Sequence, residues 1–152
     1  MLLQDKVVIV SGIGPGLGQE LSTLAAIEGA AAVVLAARTQ RKLDDAERAI
    51  VDLGMDTRVL KVVTDIADRG QCLRLVQRTV EAFGRVDTLF NSAYDPGSFQ
   101  PVEQADMDSW RRAMDVNFFG TMNLTQACAA PMKEAGGGSI VMIGTMVEHK
   151  PG

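Results

Sequence analysis

The chain has 152 residues and a net charge of −4, with 47% hydrophobic and 22% charged residues, the balance of one ordinary globular domain with a sizeable core. Lys and Arg form no cluster, so a nucleic-acid surface, which needs neutralising cations, is not expected. The longest apolar run, at 30–37, is too short to span a bilayer, and "MLLQDK" lacks the apolar region of a secretory signal.

Cys72 and Cys128 lie far apart inside helix-like stretches, with no CxxC pair and a single histidine, His149. This favours a cytoplasmic protein with reduced thiols, both read as small buried hydrophobes, and speaks against a metal site.

In chain order, "KVVIV" (6–10) reads as a buried strand. The glycine-rich "SGIGPGLG" (11–18) leads into a helix with Leu17, Leu21, Leu24 and Ala25 on one face and Gly29 as its cap. "AAVVLAA" (31–37) is a second strand. Residues 40–53 form a helix with Leu43, Ala46, Ile50 and Leu53 at helical spacing, stopped by Gly54. "RVLKVVT" (58–64) is a third strand. Asp68 and Gln71 make a capping-box-like start for a helix striped by Leu73, Val76, Val80 and Phe83 and ended by Gly84.

"VDTLFN" (86–91) is a fourth strand, and "SAYDPGSFQP" is a loop. A helical region from about 106 to 134 exceeds the usual length, which predicts a break between Asn117 and Gly120. The fifth strand is 139–143. Strands alternating with helices predict βαβ crossovers, and so an α/β fold with a parallel sheet covered on both faces, a single domain over 1–152.

The glycine loop does not satisfy G-x-G-x-x-G: from Gly12 the last glycine falls on Leu17, and from Gly14 on Gln19. It fits G-x-x-x-G-x-G through Gly12, Gly16 and Gly18. Gly12 permits a sharp exit from the strand, Gly16 lets a phosphate approach the backbone, and Gly18 lets the helix pack closely. Pro15 is expected near the first helical position, where a missing N–H removes no needed donor, and Leu17 is among the residues that would supply donors. A glycine-rich turn without ligand is the competing reading.

These features resemble the short-chain dehydrogenase/reductases. Ser11, Gly12, Gly16 and Gly18 match the family's cofactor motif, and Asp65 in "VTDIAD" matches the aspartate that contacts adenine, with Ile66 beside it. "NSAY", with Asn91, Ser92 and Ala93, stands where the family has Asn-Asn-Ala-Gly. "DVNFFG" places Asn117 at the supporting asparagine, and "GGGSIVMIGT" brings Thr145 to the serine position. The resemblance implies a doubly wound Rossmann sheet of strand order 3-2-1-4-5, and hydride transfer between a nicotinamide cofactor and a secondary alcohol or ketone.

An acidic residue about 20 positions past the glycines binds the ribose of NAD in such folds. Here that position is Arg38, and 36–40 hold no Asp or Glu. Arginine pairs with a 2′-phosphate, with Arg41 or Lys42 as helpers, so NADP(H) is favoured over NAD(H). Alternatively Arg38 is a solvated charge or stacks on adenine. Pro15 offers no charge where NADP-preferring relatives carry one.

Asn117 is read as supporting a proton relay, or as a tether where the helix bends. The Thr145 hydroxyl can make the serine's hydrogen bond, although its methyl group restricts the rotamer. The family's Tyr-x-x-x-Lys pair is expected beyond Gly152, because Tyr94 has no lysine at that spacing. The chain is therefore expected to be the N-terminal portion of a longer enzyme, lacking later strands and inactive alone. A non-catalytic nucleotide-binding or protein-interaction homologue is the alternative.

Tyr94 either shapes substrate choice or packs under the next loop. Met107, Trp110, Met114, Phe118 and Met122 exceed what one sheet contact requires. The resemblance implies a homodimer or homotetramer interface in this region, while ordinary core packing is expected to account for at least half of these residues.

Overall fold

The structure, a computed structural model, describes residues 1–144. Five parallel strands form one sheet in the order β3-β2-β1-β4-β5: β1 Val7–Ser11, β2 Ala32–Ala37, β3 Arg58–Val63, β4 Thr88–Asn91 and β5 Ser139–Met142. The chain starts at the sheet's centre, winds to one edge, then returns to the other side of β1. Val8 lies opposite Val33 of β2 and Thr88 of β4. Every residue of β1 and β2 is buried, as a central parallel strand requires.

Alternation along the strands divides the core in two. Val8, Val10, Val33 and Leu35 meet α1 (Leu17–Ile27) and α2 (Gln40–Val51) on one face. Ile9, Val34, Ala36 and Leu89 meet α3 (Arg69–Phe83) and α5 (Thr121–Glu134) on the other. Cys72 and Cys128 belong to this second core as free buried thiols. Burial pushes their pKa values up to about 11 and about 12.

The helical stripes differ from the sequence expectation in instructive ways. The residues of α1 that face the sheet are Gly18, Ser22, Ala25 and Ala26, while Leu17 and Leu24 are half exposed. The helix sits so close to the strand backbone that only small side chains fit directly beneath it; Leu17 and Leu24 are turned aside, while Leu21 packs against the core as expected. In α3 the buried set is Cys72, Leu75, Val76 and Thr79, and Leu73 faces outward. Leu53 lies past the end of α2 and is exposed. Gly29, Gly54 and Gly84 do leave their helices with left-handed backbone, as expected of terminators.

The long helical region is interrupted where a break was expected. α4 (Met107–Met114) passes into a π-helical turn, Asp115–Gly120, before α5 begins. The extra residue in a π turn shifts the register of the following helix. Trp110, Met114, Phe118 and Met122 all remain more than a third exposed, as does Met107. Core packing within the described residues therefore does not account for them. No helix among the described residues is long and apolar enough to cross a membrane.

Candidate functional site

An open cleft of about 440 Å³ lies at the C-terminal ends of β1 to β4, where the winding direction reverses. Crevices form there because neighbouring strands send their chains to opposite faces of the sheet. The loop after β1 supplies one wall. Gly12 has φ +84°, and a Cβ on it would lie 2.3 Å from the Ala93 nitrogen. Its role is thus more than a sharp exit: it lets the loop after β4 cross directly over β1. Gly18 is packed as expected, since its Cβ would lie 2.2 Å from the Gly12 carbonyl oxygen.

Gly16 is the N-cap of α1, with φ +117° and nothing within 4 Å of the position a Cβ would take. Among the described residues no side chain caps this helix. The first N–H groups of any helix lack intrahelical acceptors, and the helix dipole adds partial positive charge there. Pro15 stands one residue outside the N-cap rather than at the first helical position, so its fixed φ shapes the approach to the helix and not its first turn. The N–H groups of Gly12 and Ile13 are already committed to the Ala36 carbonyl, at 2.9 and 3.2 Å. Donors for a ligand therefore come from the start of α1, where Leu17 and Gly18 line the cleft.

The end of β2 contributes cations. Arg38 is exposed and lines the cleft with Thr39 and Lys42. The Lys42 side chain crosses from α2 to the glycine loop, its Nζ 3.8 Å from where a Gly14 Cβ would be. Arg41 does not line the cleft and lies 4.0 Å from Asp45. Among the described residues neither Arg38 nor Lys42 joins an ion pair.

At the end of β3, Asp65 and Ile66 line the cleft beside Thr64. Asp65 is held by its surroundings: its Oδ1 accepts from the Ala67 N–H at 3.0 Å, and its own N–H donates to Gln71 Oε1 at 2.9 Å. The expected capping-box-like start is present in half: Asp68 caps the Gln71 N–H, but the Asp68 N–H goes to the Asp65 carbonyl and the Gln71 side chain reaches the Asp65 N–H instead. The Gln71 N–H donates to Asp68 Oδ1, its Nε2 donates to Asp68 Oδ2, and its carbonyl fixes the Asp65 loop. These bonds hold the Asp68 carboxyl below the usual aspartate range. Gly120, buried against Ile66, lets the π turn close over this corner.

Ser92, Ala93 and Tyr94 form the wall after β4, with Val116 behind them. The Ser92 N–H donates to the Ser11 carbonyl at 3.2 Å. Ser11 and Asn91 themselves are buried behind the cleft and do not line it: the Ser11 hydroxyl turns to the Phe90 carbonyl, and Asn91 Nδ2 donates to Thr125 Oγ1. Asn117 also stands outside the lining. Its amide is spent on the backbone of Asp95, accepting from the N–H and donating to the carbonyl, both at 2.8 Å. The tethering role anticipated for it is therefore present. Thr145 lies outside the described residues.

The cleft thus brings together Gly12, Leu17, Gly18, Arg38, Asp65, Ile66, Ser92 and Ala93 from four strand ends. Ile13, Gly14, Thr64 and Val116 join them without having been singled out from sequence. For Gly14 the missing side chain was a legible sign. Val116 carried none, because its aim depends on the π turn.

Comparison with known proteins agrees with this arrangement. The family model described as short chain dehydrogenase matches residues 6–152. The 11-beta-hydroxysteroid dehydrogenase A of Sesamum indicum is 33% identical over 137 residues, covering 90% of this chain and 39% of the relative. An uncharacterized oxidoreductase of Thermotoga maritima is 32% identical over 142 residues, 93% of this chain and 54% of the relative. Among solved structures, NAD+-bound xylitol dehydrogenase matches with a TM-score of 0.92 at 28% identity, covering 100% of this chain and 57% of that one. A short-chain type dehydrogenase/reductase from Mycobacterium ulcerans matches at 0.93 and 28%, covering 99% and 55%. The chain spans about half the length of the relatives it matches. With its sheet order, its glycine spacing and these matches in agreement, the chain belongs to the short-chain dehydrogenase family.

Proposed function

We propose that residues 1–152 are the cofactor-binding portion of an NADP(H)-preferring oxidoreductase acting on a secondary alcohol or ketone. The observation that carries the cofactor preference is a pair of cations that form no ion pair among the described residues: Arg38, just past β2 where an NAD-binding fold places a carboxylate, and Lys42 in the first turn of α2. The cleft suits a dinucleotide: the open N-terminus of α1 takes the pyrophosphate, and the space above Gly16 leaves it room. Asp65 and Ile66 would border the adenine, and Arg38 with Lys42 would take the 2′-phosphate through charge-assisted bonds.

A nicotinamide cofactor bound there supplies the hydride donor or acceptor. In this reading Asn117 holds the loop after β4 in place, and Thr145 binds the substrate oxygen. The acid/base Tyr-x-x-x-Lys pair is assigned to chain beyond residue 152. We assign the exposed apolar face of Trp110, Met114 and Phe118 to a homo-oligomer contact.

Fluorescence titration of the chain with NADPH and NADH, carried to millimolar cofactor, tests the preference. NADPH is expected to bind more tightly, and Arg38→Ala to reduce the ratio of the two affinities roughly tenfold, as loss of a charged hydrogen bond would. An unchanged ratio removes the role of Arg38.

A further inference from the structure

The family pattern has a glycine where this chain has Tyr94, and the surroundings of Tyr94 are unusual for an exposed side chain. Tyr94 lines the cleft yet is 69% exposed, so it does not pack under the following loop. The backbone on either side is held firmly. Before it, Ala93 lies against Gly12 and the Ser92 N–H is bonded to Ser11. After it, both backbone polar groups of Asp95 are clamped by Asn117, and Asp95 Oδ1 accepts from the Gly97 N–H at 2.9 Å. Gly97 in turn rests on Ala113 of α4, where a Cβ would come within 3.3 Å.

A side chain placed by so many bonds, but left uncovered at the mouth of a cleft, is placed for something that enters the cleft. On that wall Ala93 and Val116 are apolar and Ser92 is polar, so the ring extends the apolar part of the wall rather than presenting an isolated hydroxyl. We propose that Tyr94 is a cofactor-contacting residue whose ring packs against the bound dinucleotide on the β4 side. This rests on the dinucleotide reading of the cleft and adds to it a residue that sets affinity. The interaction is made by the ring face, with the hydroxyl left to solvent.

Tyr94 is the only tyrosine in the chain, so its ring signals in carbon–proton NMR spectra identify themselves. The chain is titrated with NADP+, and the ring is followed beside the backbone amides of Gly14 and Leu17. The ring and amide signals are expected to shift with one midpoint. Tyr94→Ala should weaken binding about fivefold, while Tyr94→Phe stays within about twofold of the parent. Amides that saturate while the ring stays still, or a Tyr94→Ala chain that binds as tightly as the parent, overturns the proposal and leaves the cofactor reading standing. If neither ring nor amides move at millimolar NADP+, both fall. A fivefold loss in Tyr94→Phe overturns the assignment to the ring face.

Discussion

Replacing Gly18 by alanine tests how α1 is seated on the sheet. The added Cβ would lie 2.2 Å from the Gly12 carbonyl oxygen, 3.0 Å from the Gly12 carbonyl carbon and 3.1 Å from the Ile13 Cα. All three neighbours are backbone, so no side chain can swing away. Non-bonded carbons normally sit about 3.5–4.0 Å apart, so relief requires α1 to retreat by about 1 Å. That movement would open the tight face formed by Ser22, Ala25 and Ala26, all buried. Overpacking costs about 1–3 kcal/mol, and unyielding neighbours put this case at the upper end. Alanine recovers about 1 kcal/mol through its better helix propensity. The net loss should be about 2 kcal/mol, read as a lower urea midpoint at unchanged m-value. Gly14→Ala is the matched control: its Cβ meets only Lys42, at 3.8 Å, and stability should stay within about 0.5 kcal/mol. If Gly18→Ala unfolds within about 0.5 kcal/mol of the parent, the close seating of α1 is wrong.

The thiols and the cap of α3 give two further tests. With the Cys72 pKa raised to about 11 by burial, only about one molecule in a thousand carries its thiolate at about pH 8. Cys128, at about 12, is less ionised still. Both thiols should resist a disulfide reagent in the native chain and react at once in urea; fast native labelling would contradict their burial. For Asp68, hydrogen bonds from the Gln71 side chain and backbone depress the folded pKa below its ordinary 3.8. A depressed carboxyl adds stability above its unfolded pKa, and that stability is lost as the pH falls through the folded value. Stability should therefore fall more steeply as the pH drops below about 4 in the parent than in Asp68→Asn. Equal slopes in urea midpoints across that range would reject the effect.

The order of strands and helices was legible because β-branched runs and helical spacings alternate without ambiguity, and glycines punctuate the helix ends. The faces of the helices were less legible. Periodicity marks Leu17, Leu21, Leu24 and Ala25 as the inner stripe of α1, but the sheet demands small residues there, and Gly18 with Ala25 and Ala26 answers that demand. Hydrophobicity and closeness of approach compete, and a sequence pattern reports only the first. In the cleft, Arg38 was readable from its spacing past the glycines, whereas Asp65, Ile66, Ser92 and Ala93 were readable only through the family resemblance. Asn117 was readable as a tether because it sits at the expected break. Its acceptor and donor on Asp95 were not, since 22 residues of chain separate them. Ser11 and Asn91 belong to motifs, and a motif does not report side-chain direction: the Ser11 hydroxyl turns to the Phe90 carbonyl and Asn91 Nδ2 to Thr125.

The three glycines of "SGIGPGLG" carry different loads, and this explains why the spacing departs from G-x-G-x-x-G without loss of the cradle. Gly18 brings the helix against β1, and Gly16 leaves the space above the helix start free. Gly12 accommodates the Ser92–Ala93 backbone, which passes over it at distances no side chain could tolerate. The loop after β1 and the loop after β4 are thereby one mechanical unit, joined again by the Ser92 N–H on the Ser11 carbonyl. Through Asp95 and Asn117 the unit extends to the π turn, and through Gly97 to α4. The start of α1, proposed above for the pyrophosphate, and the Tyr94 side chain are therefore set relative to each other by backbone packing. Pro15, which donates nothing, can occupy the outer lip of this unit because the committed N–H groups of Gly12 and Ile13 and the open ones of α1 lie on either side of it.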